Sequence, residues 1–302
     1  MSDKMRNLLV RTASGIVLFG IVLGAALMGF IGFSALMLVI MCGGLWEFYA
    51  LARAKGAAPQ GLLGLVCSLA IFSVSFIVVY PTWQNGGTTV FDFYYDAVLV
   101  VIVGLFVTAL CVALSFVFEV FRNRPNPIMN IATTLMGIVY LALPMAVMLI
   151  IPALLQQGFD FDNVSSEWNP LYFLFYLFLV WGNDVFAYLA GISFGKHKLC
   201  ERLSPKKSWE GFVGGIVGSV AMGAIAACVL EESYLVWMGL ALVVAIMSVV
   251  GDLVESMFKR DAGVKDSGNI LPGHGGILDR FDALIVSAPF ALIYLYIVAI
   301  FV

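Results

Sequence analysis

Nine long runs of apolar residues, separated by short polar segments, account for most of the chain. They lie at about 12–29, 32–46, 61–80, 96–121, 129–154, 171–194, 209–230, 234–255 and 277–302. A spanning helix needs about 20 mostly apolar residues to cross the hydrocarbon core of a bilayer, and most of the runs approach that length. The pattern therefore predicts an all-α integral membrane protein with about nine transmembrane helices. Pro144 lies inside the fifth run, and we expect it to kink that helix.

The composition supports this class of protein. Of the 302 residues, 62% are hydrophobic and 12% are charged, and the mean hydropathy is +1.02. These values exclude an ordinary soluble domain and a disordered chain. The five cysteines form no C-x-x-C pair, and four of them lie in apolar runs. This placement argues for packing residues rather than for a zinc site.

The basic residues are confined to one side of the predicted topology. With the N-terminus in the cytoplasm, the inner segments contain all 16 Lys and Arg residues, and the outer loops contain none. Lys and Arg concentrate in the cytoplasmic loops of membrane proteins, so this distribution indicates the orientation. We expect a cytoplasmic N-terminus, a C-terminus outside, and a multi-pass location in the inner (cytoplasmic) membrane.

A charged stretch from Ser256 to Asp282 lies between the last two apolar runs. It reads S-M-F-K-R-D-A-G-V-K-D-S-G-N-I-L-P-G-H-G-G-I-L-D-R-F-D. Its basic residues favour phosphate ligands, its carboxylates favour a divalent metal ion, and its Gly-rich turn lets backbone N–H groups approach an anion. The charged residues are Lys259, Arg260, Asp261, Lys265, Asp266, Asp279, Arg280 and Asp282.

Three aspartates at the inner ends of the last two spans are candidate metal ligands. Asp252 lies near the end of the eighth span, where an unpaired carboxylate is unfavourable. Asp279 and Asp282 are three residues apart and so share a face of the ninth helix. Carboxylates from two helix ends, together with phosphate oxygens and water, suit Mg²⁺. The alternative is a structural ion-pair cluster, in which Asp252 pairs with Lys259 and Asp279 with the neighbours of Arg280.

Two further ionisable residues stand out by their positions. Asp184, in W-G-N-D-V-F-A-Y, lies midway along the sixth span, where an ionisable residue is a functional candidate by default. It could also simply pair with a basic residue of a neighbouring loop. His274, in P-G-H-G-G, could be a base, a phosphate donor or a structural turn residue.

The basic loop before the seventh span is a second candidate site. It reads L-S-P-K-K-S-W-E-G from Leu203 to Gly211. Lys206 and Lys207 precede a helix N-terminus, which itself favours anions, and we expect Ser208 to be the N-cap. Anchoring by positive charge at the cytoplasmic face is the alternative, although it does not explain the flanking Ser-Pro and Glu-Gly. Close helix packing is predicted at the glycines 211, 214, 215 and 218.

The stretch from Ser256 to Asp282 resembles the signature of the phosphatidate cytidylyltransferase (CDP-diacylglycerol synthase) family. The family pattern is S, two residues, K-R, four residues, K-D, then a loop that ends H-G-G, two residues, D-R, one residue and D. Every fixed position is met here. At Ser208 the family more usually has Thr, which also carries a hydroxyl. The upstream residues that are similar to the family are Asp184, Ala187, Tyr188, Gly191, Gly195, Lys196, Ser204, Pro205, Lys206, Lys207, Glu210 and Gly211.

The resemblance extends from about Trp181 to the C-terminus, while the first 170 residues match only as generic membrane helices. We therefore divide the chain into 1–170, with about five spans, and a catalytic membrane region at 171–302, with about four spans and cytoplasmic active-site loops. The resemblance implies that CTP and phosphatidate give CDP-diacylglycerol and pyrophosphate with Mg²⁺ as cofactor. The resemblance leaves open whether one or two divalent ions are bound and whether a monovalent cation takes part. The expected partners are the bilayer and a second copy in a homodimer, with no nucleic acid.

Site residues are assigned from the resemblance position by position. It implies Asp252 and Asp279 as metal ligands, and Asp282 is added from its place on the same helix face. The residues assigned to catalysis are Lys259, Arg260, Lys265, Asp266, His274 and Arg280, of which the four basic ones are expected at phosphates. Those assigned to substrate binding are Asp184, Ser204, Pro205, Lys206, Lys207, Ser208 and Glu210.

Two other functions remain as alternatives. A CTP-dependent polyprenol or phytol kinase would phosphorylate a hydroxyl and so would need a general base such as His274. An ion-coupled transporter would use Asp184 and Asp252, but transporters tend to carry charged residues deep in several spans and are often built from repeats. Nearly all of the charge here is predicted at one face, and the chain has no convincing internal repeat.

The topology can be tested by labelling cysteines in whole cells. We expect a cysteine substituted at Asn163 to react with a membrane-impermeant maleimide from outside. We expect Cys200 to react only after the cells are permeabilised, because every basic segment is predicted to be cytoplasmic. Labelling of both positions from the same side would contradict nine spans.

Overall fold

The computed structural model describes residues 3–83, 90–157, 167–268, 270 and 275–301, and these are predominantly α-helical. The predicted all-α class is therefore confirmed. A 3-10 turn spans Tyr80–Trp83, a π-helical turn spans Ile138–Ala142, and a hairpin is formed by β1 (Lys198–Cys200) and β2 (Ser204–Ser208). The helices are α1 (Asp3–Leu27), α2 (Gly29–Ala54), α3 (Gly61–Val79), α4 (Val90–Arg122), α5 (Pro127–Gly137), α6 (Leu143–Gln157), α7 (Pro170–Phe194), α8 (Trp209–Leu230), α9 (Tyr234–Asp261) and α10 (Leu278–Phe301).

Eight helical segments in the described part of the chain are long and apolar enough to cross a bilayer. One of them, Pro127–Gln156, runs without a break through α5, the π-helical turn and α6. The first predicted span corresponds to Thr12–Leu27 of α1, an apolar segment that is shorter than the others. The chain is thus a multi-pass membrane protein, and the orientation of its termini stays a prediction.

Several helices extend further than the apolar pattern indicates, among them α2 and α9. The second span was expected to end near Trp46, but α2 continues to Ala54, and the eighth was expected to end near Glu255, but α9 continues to Asp261. Hydropathy marks the part of a helix that lies in hydrocarbon, whereas the backbone hydrogen bonds continue into the polar interface. These two boundary predictions were wrong, and the extra turns carry polar side chains of the site described below.

The helix is irregular just before Pro144, where the sequence predicted a kink. The irregularity is a π-helical turn at Ile138–Ala142, and the helix continues on both sides of it. Proline has no N–H to donate to the carbonyl of Tyr140, so the ordinary ladder of hydrogen bonds cannot continue there. The N–H of Leu143 bonds instead to the carbonyl of Ile138, five residues back, which widens the turn. Wide turns of this kind are often found at functional sites.

Close packing of α7 against α8 depends on glycines, as the sequence analysis predicts. A side chain at Gly214 would collide with Ala190, and one at Gly218 would collide with the ring of Phe186. A Cβ at Gly215 would lie 2.5 Å from Oδ1 of Asn183. Small residues let the two helix backbones approach, which replaces the hydrophobic driving force that helices lack in lipid.

The buried core joins the two parts of the chain, 1–170 and 171–302. Phe33 of α2 packs on Phe173 of α7 with ring centroids 4.5 Å apart, and α10 packs against both α6 and α9. Trp168 donates a hydrogen bond of 2.8 Å from its indole nitrogen to the carbonyl of Ala26. Helices from the first part therefore form walls around the inner ends of α9 and α10.

Candidate active site

The C-terminal end of α9 and the N-terminal end of α10 lie side by side because a glycine removes the side chain between them. A Cβ at Gly251 would lie 2.5 Å from the backbone oxygen of Asp282. Such a contact is not tolerated in a packed interior. The close approach of the two backbones brings Asp252 and Asp282 to the same level of the bundle.

Asp252, Glu255 and Asp282 form an acidic cluster at this crossing. One carboxylate oxygen from each residue lies within 4.8 Å of the other two. Asp252 and Glu255 are three residues apart on α9 and so share a helix face, while Asp282 lies in the first turns of α10. The sequence analysis selected both aspartates but missed Glu255. Its spacing of three residues from Asp252 was the available signal.

Asp279 lies next to this cluster, but its carboxylate is engaged by the loop that precedes α10. Its Oδ2 accepts hydrogen bonds from the N–H groups of Gly276 (2.8 Å) and Ser267 (2.9 Å), and Oγ of Ser267 is 3.0 Å away. Its Oδ1 is 2.5 Å from Nζ of Lys259. This set of partners holds the loop in place, and the assignment of Asp279 as a metal ligand stays a prediction.

Two lysines neutralise part of the acidic charge. Lys259 is half-buried and forms ion pairs with both Glu255 and Asp279. Lys207, at the end of β2, forms an ion pair with Asp252. The alternative interpretation paired Asp252 with Lys259, and this pairing is wrong. The partner of Asp252 is Lys207 of the basic loop.

The basic loop is a β-hairpin rather than the irregular loop that the sequence suggested. Lys198 pairs with Ser208 across the two antiparallel strands, and Pro205 is tolerated because a two-stranded ribbon has open edges. Ser208 caps α8, as predicted, by accepting a hydrogen bond of 3.1 Å from the N–H of Gly211. The hairpin and the cap together direct Lys207 towards the acidic cluster.

Glu210 fastens the start of this hairpin to α8. Its Oε2 accepts a hydrogen bond of 3.0 Å from the N–H of Lys196, and its Oε1 lies 2.6 Å from Nδ1 of His197. These contacts give Glu210 a positioning role. Its predicted contact with substrate stays a prediction.

A cleft of about 320 Å³ opens beside the acidic cluster, between α1, α7 and α10. Asp184 of α7 and Arg280 and Asp282 of α10 line it together. Leu18 and Phe19 of α1 form the facing wall. The structure thus brings Asp184 to the site, as the sequence analysis expected. It also shows that α1, whose role could not be derived from the sequence, contributes to the lining.

The other predicted site residues lie around this centre or outside the described part of the chain. Ser204 is half-buried in β2. His274 lies outside the described residues. Six other predicted site residues have exposed side chains. They lie on the hairpin, in the last turn of α9, on the loop after it and at the cleft: Pro205, Lys206, Arg260, Lys265, Asp266 and Arg280.

Glu47 of α2 anchors the loop between α9 and α10. Its Oε1 accepts a hydrogen bond of 3.0 Å from the N–H of Ile277, and its Oε2 accepts one of 2.9 Å from the N–H of Leu278. Oγ of Ser267 donates to the same Oε2 at 3.1 Å. The first N–H groups of a helix have no partner inside the helix, and the positive end of its dipole favours a carboxylate. Glu47 therefore caps α10 from a distant helix.

Two glycines of the charged stretch leave room for this carboxylate. A side chain at Gly268 or Gly276 would collide with Glu47. The sequence analysis missed Glu47 because nothing near it in the chain indicates its partners. The signal that could have found it is a lone carboxylate within an apolar run, which is expensive in a membrane unless it is bonded.

The acidic cluster has fewer partners than a structural carboxylate in the same protein. Glu119, which is buried near the end of α4, accepts hydrogen bonds from Gln60 (2.6 Å), Asn130 (2.7 Å) and Arg122 (2.8 Å). By contrast, Oε1 of Glu255 is buried and accepts no hydrogen bond from any residue that the structure describes. A buried carboxylate oxygen without a donor is costly, and a cation bound beside it would offset that cost.

The residues present fit a divalent cation. Three carboxylates converge on one place, one of their oxygens is buried without a donor, and the ion pairs described above provide only two lysines for four carboxylates. Oxygen ligands of this kind, completed by phosphate and water, are those that Mg²⁺ prefers. Asp252, Glu255 and Asp282 are the ligand set that the geometry favours.

Fold and site together define a class of protein. It is a multi-pass membrane protein that gathers carboxylates and lysines at one end of its spans, beside a cleft, as binding of phosphate groups with a divalent cation requires. The model of the cytidylyltransferase family matches residues 9–298, so the chain belongs to that family.

Curated relatives are similar over nearly their whole length. The phosphatidate cytidylyltransferases of Haemophilus influenzae and Synechocystis are each 30% identical to this chain, over 93% and 95% of it and 96% of each relative. That of Staphylococcus haemolyticus is 31% identical over 93% of the chain and 96% of its own length.

The anchoring by Glu47 can be tested with Glu47→Gln. The amide nitrogen of Gln cannot accept a hydrogen bond, so a buried N–H loses its partner, which costs about 1–3 kcal/mol. We expect a lower Tm in detergent and faster proteolysis of the loop 262–277. We also expect roughly tenfold or greater loss of activity, because displaced catalytic groups slow the reaction. The control is Glu231→Gln in the exposed turn after α8. Loop protection equal to wild type in Glu47→Gln would contradict the anchoring.

Proposed function

We propose that the chain transfers the cytidylyl group of CTP to phosphatidate, giving CDP-diacylglycerol and pyrophosphate. The observation that carries the proposal is the acidic cluster of Asp252, Glu255 and Asp282, flanked by Lys207 and Lys259 at the edge of a cleft between spans. Membership of the cytidylyltransferase family and the names of the relatives support it.

The chemistry suits a site rich in charges and poor in bases. A phosphate oxygen of phosphatidate forms a new bond to the α-phosphorus of CTP. The bond from that phosphorus to the bridging oxygen breaks, and pyrophosphate leaves with its electrons. The attacking oxygen is already anionic, so no side chain has to remove a proton. The task of the protein is to bring two polyanions together and to stabilise the charge that develops on the leaving group.

The basic side chains around the cluster are placed for that task. Arg280 lies in the lining of the cleft, and Lys207 reaches the cluster from the hairpin. Arg260 is exposed in the last turn of α9, and Lys265 is exposed on the loop that follows. Arg can bind a phosphate through two parallel hydrogen bonds, whereas Lys acts as a point charge. These four residues neutralise the phosphates of the two substrates.

Asp252, Glu255 and Asp282 are the residues that would hold Mg²⁺. When bound there, the ion supplies positive charge to phosphate oxygens and to the developing charge on pyrophosphate. Asp279 remains a candidate ligand, because its carboxylate interacts with Glu255 of the cluster and its Oδ1 pairs with Lys259. Lys259 is half-buried between Glu255 and Asp279, where it holds the two carboxylates in position.

The site belongs at the cytoplasmic face of the inner membrane in this proposal. All 16 Lys and Arg residues lie in segments that the topology assigns to one side, and the charged stretch is among them. CTP is a cytoplasmic nucleotide and phosphatidate is a lipid, so a site at the inner ends of the spans is reached by both. The cleft between α1, α7 and α10 lies at that end.

The direct test is an assay with the purified full chain, CTP, phosphatidate and Mg²⁺ in mixed micelles. We expect the label of α-³²P-CTP to enter the lipid and pyrophosphate to be released. A lipid kinase would instead transfer the label of γ-³²P-CTP and would need a lipid with a free hydroxyl. A transporter would leave CTP unchanged. Either of the last two results would overturn the proposal.

The metal assignment can be tested with Asp252→Asn, Asp282→Asn and Glu255→Gln. Each change keeps the shape but removes a charged ligand, so we expect kcat to fall about 10²-fold or more and the Mg²⁺ requirement to rise. The control is Asp261→Asn, an exposed residue of the same helix that pairs with Lys55.

Asp279→Asn decides the role of Asp279 in the same titration. A wild-type kcat and Mg²⁺ requirement would exclude it as a ligand, and a lowered Tm would then mark a structural role. If all three cluster variants keep the wild-type Mg²⁺ requirement, the cluster does not hold the ion.

A further inference from the structure

A second cavity lies beside the acidic cluster, and none of its lining residues belongs to the cleft described above. It measures about 460 Å³ and lies between α5 with its π-helical turn, α9 and α10. Its lining is almost entirely apolar. Residues that represent the three walls are Met136, Val139, Tyr140, Phe258, Ile285 and Phe290. We call this cavity the apolar groove.

The apolar groove opens sideways, towards the hydrocarbon of the bilayer. Val139 is 53% exposed, Phe290 is 44% exposed and Met136 is 42% exposed, and all three lie within membrane-spanning segments. An exposed side chain at that depth faces lipid or another membrane-embedded molecule rather than water. A lipid chain can therefore enter the groove from the membrane without crossing a polar region.

One end of the groove lies next to the acidic cluster. Ile285 follows Asp282 by three residues on α10, and Phe258 follows Glu255 by three on α9, so each groove residue is a helical neighbour of a cluster carboxylate. Tyr140 fills the space between them. Its ring meets that of Phe258 edge to face, with centroids 5.3 Å apart.

The hydroxyl of Tyr140 is polar, buried and without a hydrogen-bond partner among the described residues. It lies within electrostatic reach of Asp282, Glu255 and Asp252. A buried hydroxyl that finds no partner is unfavourable, and native structures rarely leave one without a reason. The position of this donor, at the junction of an apolar groove and a charged centre, calls for a ligand with an oxygen acceptor next to an apolar chain.

We propose that the apolar groove binds one fatty-acyl chain of the lipid acceptor, and that Tyr140 donates its hydrogen bond to an ester or phosphate oxygen at the head of that chain. The proposal rests on the proposed function for the identity of the lipid. The chain occupies the groove from Phe258 to Phe290, which directs the phosphate towards Asp282. Tyr140 is then a substrate-positioning residue.

A phospholipid fits better than a second copy of this protein. An apolar helix from another copy would cover the groove but would leave the Tyr140 hydroxyl without a partner. A phosphatidate molecule supplies the apolar chain and the oxygen acceptor together. Bulk lipid would also supply an acyl chain, but the groove would then show no preference for a phosphatidate head group.

The first test uses the full chain without CTP, so that it does not depend on turnover. A phosphatidate with a diazirine near the middle of one acyl chain is photolysed with the protein in liposomes, and labelled peptides are mapped by mass spectrometry. We expect label on residues 136–140 and 285–290. Excess unlabelled phosphatidate should remove it, and phosphatidylcholine with the same photoreactive chain should give little. Equal labelling by phosphatidylcholine would overturn the proposal in favour of bulk lipid.

The second test fills the groove with Val139→Trp and with Val286→Trp. The matched control is Val217→Trp, on the exposed face of α8, where Val217 is 64% exposed. We expect both groove variants to lose labelling and to raise the KM for long-chain phosphatidate about tenfold, as the lost burial of about two methylene groups would do. The KM for CTP and the rate with a dioctanoyl phosphatidate should change much less.

Further outcomes separate this inference from the proposed function and from a dimer interface. Wild-type protein that labels as expected but makes no CDP-diacylglycerol would overturn the proposed function and leave lipid binding in place. Active protein whose groove variants keep a wild-type KM for every phosphatidate would overturn the inference alone. Two results together would assign the groove to a second copy of the chain. The wild-type protein would show no labelling by phosphatidate, and a groove variant would change the oligomer size in detergent. Tyr140→Phe should raise the KM for phosphatidate without raising that for CTP.

Discussion

The carboxylate of Glu47 is the contact on which the geometry of the active site depends. It joins α2 to the first N–H groups of α10 and to Ser267, across more than 200 residues of sequence. A helix start in a membrane needs an acceptor, because water is scarce and an unsatisfied N–H is costly. Once α10 is fixed in this way, Asp279 can hold the loop and Asp282 can meet α9. A helix from the first part of the chain thus sets the register of the catalytic part.

Electrostatics then decides what the crossing of α9 and α10 can do. Bringing Asp252, Glu255 and Asp282 together is unfavourable by itself, since like charges in a poorly screened region repel strongly. The protein offsets part of this with Lys259 from within α9 and with Lys207 from the hairpin. Glu119 shows what a purely structural buried carboxylate looks like here, with three donors around it. Within the described residues, the buried Oε1 of Glu255 has no such donor, as expected of a carboxylate that binds a cation.

The helix α10 lines two openings, one that includes Asp282 of the cluster and one that lies a helical turn away from it. On one side lies the cleft with Asp184, Arg280 and Asp282, which is lined by charged groups and closed by α1. On the other lies the apolar groove along Ile285 and Phe290, with Tyr140 at its inner end. A reaction between a nucleotide and a lipid needs one polar and one apolar approach to the same phosphorus. The placement of α10 provides both, because one face of its first turns carries carboxylates and the next turns are apolar.

The helical class, the membrane environment and the carboxylates Asp252 and Asp282 follow from the sequence, because they depend on local properties. The length of the apolar runs predicts the spans, glycines 211–218 predict close packing, and polar residues at the ends of the last two spans identify the two aspartates. Helix ends at Ala54 and Asp261, the hairpin, and the pairing of Asp252 with Lys207 do not follow, since backbone hydrogen bonds continue past the apolar boundary and ion pairs depend on distance in space. Glu47 and Tyr140 were not predicted for the same reason. Each is a polar residue in an apolar run with no partner nearby in the sequence, and only the packing of distant helices shows what surrounds it. Glu255 differs, because its spacing of three residues from Asp252 was a local signal that could have been used.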